Sequence, residues 1–157
     1  MAPETPADPN ILDVVLGVIV RNTRVLIARR RADDPFGGLW ELPGGICQPG
    51  ESILDCLSRE IMEELGIRIR PGHAFPPIVH TYPDKTVRLL AIVCEIDPPA
   101  EPRPLAADCL EWVTAGELPT YPFPAANAVL MRTLLYTWRA ISQTSSRRRS
   151  IRPACRL

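Results

Sequence analysis

Hydrophobic residues in this chain fall into short runs punctuated by proline and glycine, and the spacing within each run names its element. "ILDVVLGVIV" and "RVLIAR" are rich in β-branched residues and predict two strands, with "RNT" between them as a hairpin connection. "RRADDPFGG" reads as a loop with Pro35, Gly37 and Gly38 as breakers, and "LWELPGG" as a short extended segment ending in a double-glycine turn. From about Ser52 to Leu65 the period changes. Leu54, Leu57, Ile61 and Leu65 recur at helical spacing, and Gly66 supplies a stop. "RIRPGHAFPPIVHTYPD" predicts strand fragments broken by prolines, "TVRLLAIVCEI" a strong buried strand and "CLEWVT" a short one. "NAVLMRTLLYTWRAI" has helical spacing at Val129, Leu130, Leu134 and Trp138. Strands alternating with two well-separated helices predict an α+β or α/β/α layered fold around a mixed sheet.

Composition narrows the class. The chain has 157 residues and is 46% hydrophobic, enough for one domain with a real core. Its net charge is zero, but five arginines (147, 148, 149, 152 and 156) crowd the last stretch and leave an acidic body. An acidic body argues against a dedicated nucleic-acid-binding domain. We therefore divide the chain into a loose leader (1–10), a domain (11–142) and a mobile Arg-rich tail (143–157). The five cysteines are odd in number and contain no CxxC pair. Free thiols in a reducing compartment are expected, rather than zinc or a disulfide framework. The first ten residues lack the pattern of a signal peptide, and the longest apolar run, Val14 to Val20, is too short for a membrane span. The expectation is a soluble cytoplasmic protein, monomer or homodimer, that does not associate with membranes.

The segment "GGICQPGESILDCLSREIMEELGI" carries the chemistry. Glu60, Glu63 and Glu64 stand at i, i+3 and i+4, so three like charges crowd a sector about 100° wide beside the apolar stripe. Such pairs cost an isolated helix a few tenths of a kcal/mol each. One reading is a solvated acidic face with Arg59 paired to Glu63. The other is a site for a hard cation, Mg²⁺ or Mn²⁺, which cancels the repulsion. Gly44 and Gly45 just ahead allow close backbone approach and free carbonyls, and Arg59 can fix a carboxylate through a bidentate fork.

From Gly45 the sequence reads G-x5-E-x7-R-E-I-x-E-E-x-G-I, which resembles the Nudix box at every defined position: Gly45, Glu51, Arg59, Glu60, Ile61, Glu63, Glu64, Gly66 and Ile67. The resemblance implies the Nudix fold, a mixed sheet sandwiched between helices. It implies hydrolysis of a nucleoside diphosphate linked to some further group. It implies that Glu60, Glu63 and Glu64 ligate divalent cations, that Gly44 adds a carbonyl, and that Glu51 and Arg59 order the loop and helix. Glu63, Glu64 and Glu111 are the candidate general bases. Glu111, followed by Trp112, resembles a late carboxylate of MutT-type members that adds a metal ligand or base; the plainer reading is a rim carboxylate on a strand end.

The likeness to MutT-type members extends from about Asp13 to Leu135. It suggests Arg30 as a nucleotide contact, or else a surface arginine at a strand end. It suggests Asn127 as a reader of oxidised guanine, since an amide both donates and accepts on one base edge; a helix N-cap is the alternative. Two departures bear on the base: Leu42 stands where an aromatic often packs, and Lys85 replaces an arginine. The activity implied is cleavage of 8-oxo-dGTP to 8-oxo-dGMP and pyrophosphate, which would cleanse the nucleotide pool. The alternatives are cleavage of CTP, a methylated dCTP or a dinucleotide, or nucleotide sensing without turnover.

Overall fold

The computed structural model describes residues 8–149, and side-chain surroundings as far as Thr137. β1 (Ile11–Arg21) is the central strand. It runs parallel to β7 (Thr86–Ile96) over nine residue pairs, from Ile11 opposite Thr86 to Ile19 opposite Cys94. Both strands are covered on both faces, which explains why they read as almost unbroken apolar runs. β2 (Arg24–Arg29) returns beside β1 through Asn22 and Thr23, both at positive φ (51° and 63°). Two successive positive φ values give the turn twist that matches a hairpin. β3 (Trp40–Glu41) and β8 (Cys109–Val113) pair with β2, and β5 (Ile69–Ala74) and β6 (Ile78–Thr81) pair with β7.

The Pro43-Gly44-Gly45 segment does more than turn. Gly44–Ile46 forms β4, antiparallel to β1, with Gly44 opposite Leu16 and Gly45 opposite Val15. That pairing welds the start of the acidic segment onto the central strand.

α1 (Ile53–Leu65) begins where the sequence predicts. Ser52 caps it by accepting the Asp55 N–H at 3.1 Å, and Gly66 ends it in the left-handed region (φ 68°). Leu57, Ile61 and Leu65 are buried against Val15, Ile19 and Leu26. Each fully buried side chain of this size contributes about 1.5–3 kcal/mol, far more than the like-charge cost on the flank. The expected stripe needs one change: the buried part of α1 starts at Cys56, and Leu54, in the first turn, is 51% exposed.

α2 (Ala125–Arg149) covers the other face through Ala126, Leu130, Met131 and Leu134, packed on Val18, Ile27 and Leu89. The result is α/β/α: one mixed sheet between two helices. α2 runs past residue 142, the boundary drawn from the sequence, so residues 143–149 continue the helix. The remainder of the expected tail, 150–157, and most of the leader lie outside the described residues, as does the side chain of Trp138. No helix among the described residues is long and apolar enough to cross a membrane.

The cysteines are a second correction. Cys47 and Cys56 form a disulfide, with Cα atoms 5.4 Å apart, while Cys94 and Cys109 are free. The absence of a CxxC motif misleads here, because the pair is made by the chain folding back from β4 onto the first turns of α1.

Candidate active site

Arg59 is the hub of the acidic face. Its Nε donates to Glu51 Oε1 at 2.7 Å and its Nη2 to Glu51 Oε2 at 3.0 Å. Its Nη1 donates to Glu60 Oε1 at 2.9 Å and approaches Glu63 at 3.4 Å. The i,i+4 partner expected from helix spacing is therefore the weakest of the three. The grip on Arg59 holds the Glu51 carboxyl below the usual carboxylate range, helped by the Gln48 N–H.

Gly45 and Glu60 fit together. A β-carbon on Gly45 would land on the Glu60 carboxyl group, so that carboxylate occupies space only glycine leaves open. Glu64 points to the other side of the turn, where its Oε2 accepts the Gly44 N–H at 3.1 Å. Burial pushes the Glu64 carboxyl up to about 8, and the charges of Glu41 and Glu60 push the same way against the pull of the Gly44 N–H and Arg30.

Glu41 is a member that the sequence reading missed. Burial raises its pKa even though Arg30 binds it at 2.6 Å. The signal was available: Trp40 and Leu42 flank it and both face the core, so strand alternation turns Glu41 toward α1.

Glu111 lies elsewhere. In β8 it stands opposite Ile27, on the sheet face covered by α2, and accepts the Tyr121 hydroxyl at 2.5 Å. The strand register, with a side-chain period of two, separates it from the α1 carboxylates. Among the described residues no three His, Cys, Asp or Glu side chains are gathered as a ready-made metal cage. The reason is local: the Arg59 guanidinium sits among Glu51, Glu60 and Glu63, and Glu64 turns away to Gly44.

A second group surrounds the start of α2. Asn127 is the third residue of the helix, so it is not the N-cap. Ala128 N–H already bonds Pro124 O at 3.0 Å, and Ala126 N–H donates to the Tyr82 hydroxyl at 3.2 Å. Asn127 Oδ1 is buried without a hydrogen-bond partner. Orphaned buried acceptors are uncommon and call for a reason. Arg30 is tied down rather than free at a strand end: besides Glu41 it donates from Nε to Pro35 O at 2.6 Å. Lys85 is exposed on the turn between β6 and β7, its Nζ 6.0 Å from the Phe36 ring centre. Leu42 is fully buried in the core beneath α2.

Comparison with known proteins decides the family. The model of the NUDIX domain matches residues 14–133, which span β1 to the middle of α2. The chain belongs to the Nudix family. An 8-oxo-dGTP diphosphatase of Proteus vulgaris is 34% identical over 83 residues, covering 52% of this Nudix chain and 74% of that protein. A CTP pyrophosphohydrolase of Escherichia coli K12 is 42% identical over 62 residues, 40% of this chain and 46% of that one. The solution structure of the E. coli ORF135 protein superposes with a TM-score of 0.73 at 27% identity, over 83% of this chain and 93% of that one. The Nudix fold expected from the glutamate motif is thus the fold observed.

Proposed function

We propose that this Nudix protein hydrolyses a nucleoside triphosphate, 8-oxo-dGTP or a related (d)NTP, to the monophosphate and pyrophosphate. Glu60, Glu63 and Glu64 would hold divalent cations, Mg²⁺ or Mn²⁺, with Gly44 as a carbonyl donor. The donor set suits a hard cation: all oxygen, three carboxylates within about one turn of α1 and a carbonyl from β4, with Glu64 carrying charge repulsion that a cation relieves. Such ions supply charge neutralisation on the phosphates and a more electrophilic phosphorus.

The chain's own residues do the rest. Glu51 steadies Arg59, and Arg59 steadies Glu60 and Glu63, so the carboxylates are oriented before substrate arrives. Glu64 is the favoured proton acceptor for the attacking water. Held by the Gly44 N–H at 3.1 Å and only partly exposed, it is better fixed for general-base work than the solvent-exposed Glu63. Water adds to phosphorus, the bond between the α and β phosphates breaks, and pyrophosphate leaves with the displaced electron pair.

The observation that carries the substrate reading is the orphaned Asn127 Oδ1 at the start of α2. A base edge with a matching donor would satisfy it. Cleavage of CTP is the second reading, favoured by the relative named for that activity.

Pyrophosphate and orthophosphate release from a nucleotide panel with Mg²⁺ tests both. Pyrophosphate from 8-oxo-dGTP in preference to CTP is expected. The reverse ranking selects the second reading, and orthophosphate alone contradicts α–β cleavage. Glu64→Gln should remove most turnover with the fold intact. Asn127→Ala should alter the substrate ranking more than the rate, and an unchanged ranking would refute base reading by Asn127.

A further inference from the structure

The loop between β2 and β3 is built to display one aromatic ring. Asp34 N–H bonds Arg31 O, Gly37 N–H bonds Asp34 O, and Gly38 N–H bonds Arg30 O, all at 2.9–3.0 Å. A β-carbon on Gly37 would collide with the Ala32 carbonyl, so only glycine lets the backbone pass there. Phe36 sits at the tip of this tight turn with φ 59°, a region where a bulky aromatic is an outlier. Yet the residue is 42% exposed, so the strain does not serve core packing. Strained residues of this kind gather at ligand sites.

What the ring faces indicates its use. Its centre lies 5.8 Å from that of Tyr82, with the planes tilted 46°. The Tyr82 hydroxyl in turn holds the Ala126 N–H, one residue before Asn127 and its orphaned oxygen. The Lys85 ammonium approaches the Phe36 ring from the same β6–β7 turn. An aromatic pair, a nearby cation and, one residue past the Tyr82-bound Ala126, an unmet amide acceptor thus come from three segments far apart in sequence.

We propose that Phe36 is a base-stacking residue: with Tyr82 it forms an aromatic wall near the start of α2, where Asn127 lies, and it sets affinity for the nucleobase. This deepens the reading of Asn127 as the base contact and rests on it. The division of labour follows from chemistry. Every base has a π face, so stacking gives affinity with little selectivity, whereas an amide selects by hydrogen bonding. Arg30 ties the two halves of the site together. It grips the carbonyl of Pro35, next to Phe36, and the carboxylate of Glu41, whose charge acts on Glu64.

The test separates ring from backbone. Phe36→Gly removes the ring and tolerates positive φ; Phe36→Trp keeps a stacking ring. KM for the best nucleotide should rise at least ~10-fold in Phe36→Gly with kcat changed less than ~2-fold, and Phe36→Trp should restore KM. The Phe36→Trp protein should also show saturable fluorescence quenching by 8-oxo-dGMP, in excess of the parent protein, and none with ribose 5-phosphate. Unchanged KM in Phe36→Gly, or equal quenching by ribose 5-phosphate, overturns the stacking role while leaving the Asn127 result standing. If no nucleotide is turned over, the catalytic reading fails, and the quenching comparison alone then decides for or against stacking.

Discussion

Arg59 grips Glu51 through two parallel bonds, 2.7 and 3.0 Å long, that join the turn before α1 to the second turn of the helix. The same guanidinium then reaches Glu60. Lysine carries the charge but cannot span three carboxylates in a fixed plane. Arg59→Lys is expected to lower kcat/KM roughly 10–100-fold and to raise the Mg²⁺ concentration needed for half-activity. Wild-type Mg²⁺ dependence in that variant would show that Arg59 does not orient the cation-binding carboxylates.

Neighbouring glycines should fail in different ways. A β-carbon at Gly45 strikes the Glu60 carboxyl, while one at Gly44 strikes the Val15 carbonyl and also demands φ 152°. Gly45→Ala displaces a working carboxylate and should cost roughly 100-fold in turnover with little change in melting temperature. Gly44→Ala strains the β1–β4 pairing and should cost about 1–3 kcal/mol of stability. Thermal melts beside steady-state rates would show whether the two losses separate in this way.

Much of this was legible in the chain, and the misses have common causes. Helix α1 was readable to within a residue because its cap, apolar stripe and glycine stop are all local signals. The buried strand over Thr86–Ile96 was readable because both of its faces are covered. Sequence spacing could not reveal Phe36 beside Tyr82, because that contact joins different elements, whereas Glu41 left a trace in its alternation with the core residues Trp40 and Leu42. Glu111 is a different case. Its motif resembled a ligand position, but the register of β8 against β2 sends it to the α2 face. The Cys47–Cys56 pair was dismissed on motif grounds, although the turn between β4 and α1 brings the two cysteines together.

That disulfide closes a short loop holding Gly50, Glu51 and the Ser52 cap. Closing a loop of this size removes unfolded-chain entropy worth about 2–3 kcal/mol. Cys47→Ser, or dithiothreitol on the parent protein, should therefore lower the melting temperature by roughly 4–12 °C for a chain of this length. The two treatments should not add. If dithiothreitol lowered the melting temperature of Cys47→Ser as much as that of the parent, the stabilisation would come from another source.

Glu64 makes stability in EDTA depend on pH in an unusual direction. Its carboxyl is pushed from an ordinary value of 4.5 up to about 8, chiefly by burial. Between those values the folded protein keeps a proton that the unfolded chain has released, so unfolding becomes easier as pH rises and the effect levels off above about 8. With its remaining solvent contact taken into account, the loss is on the order of 2 kcal/mol, or roughly 4–8 °C. Glu64→Gln has no proton to release and should flatten that part of the curve. Mg²⁺ should act against it, because a cation binds the ionised carboxylate and gains affinity over the same window. Melting curves from pH 5 to 9, in EDTA and in Mg²⁺, provide the check. Parallel curves for parent and Glu64→Gln in EDTA would mean that Glu64 is ionised in the folded protein, and that the three glutamates are reconciled by Arg59 alone.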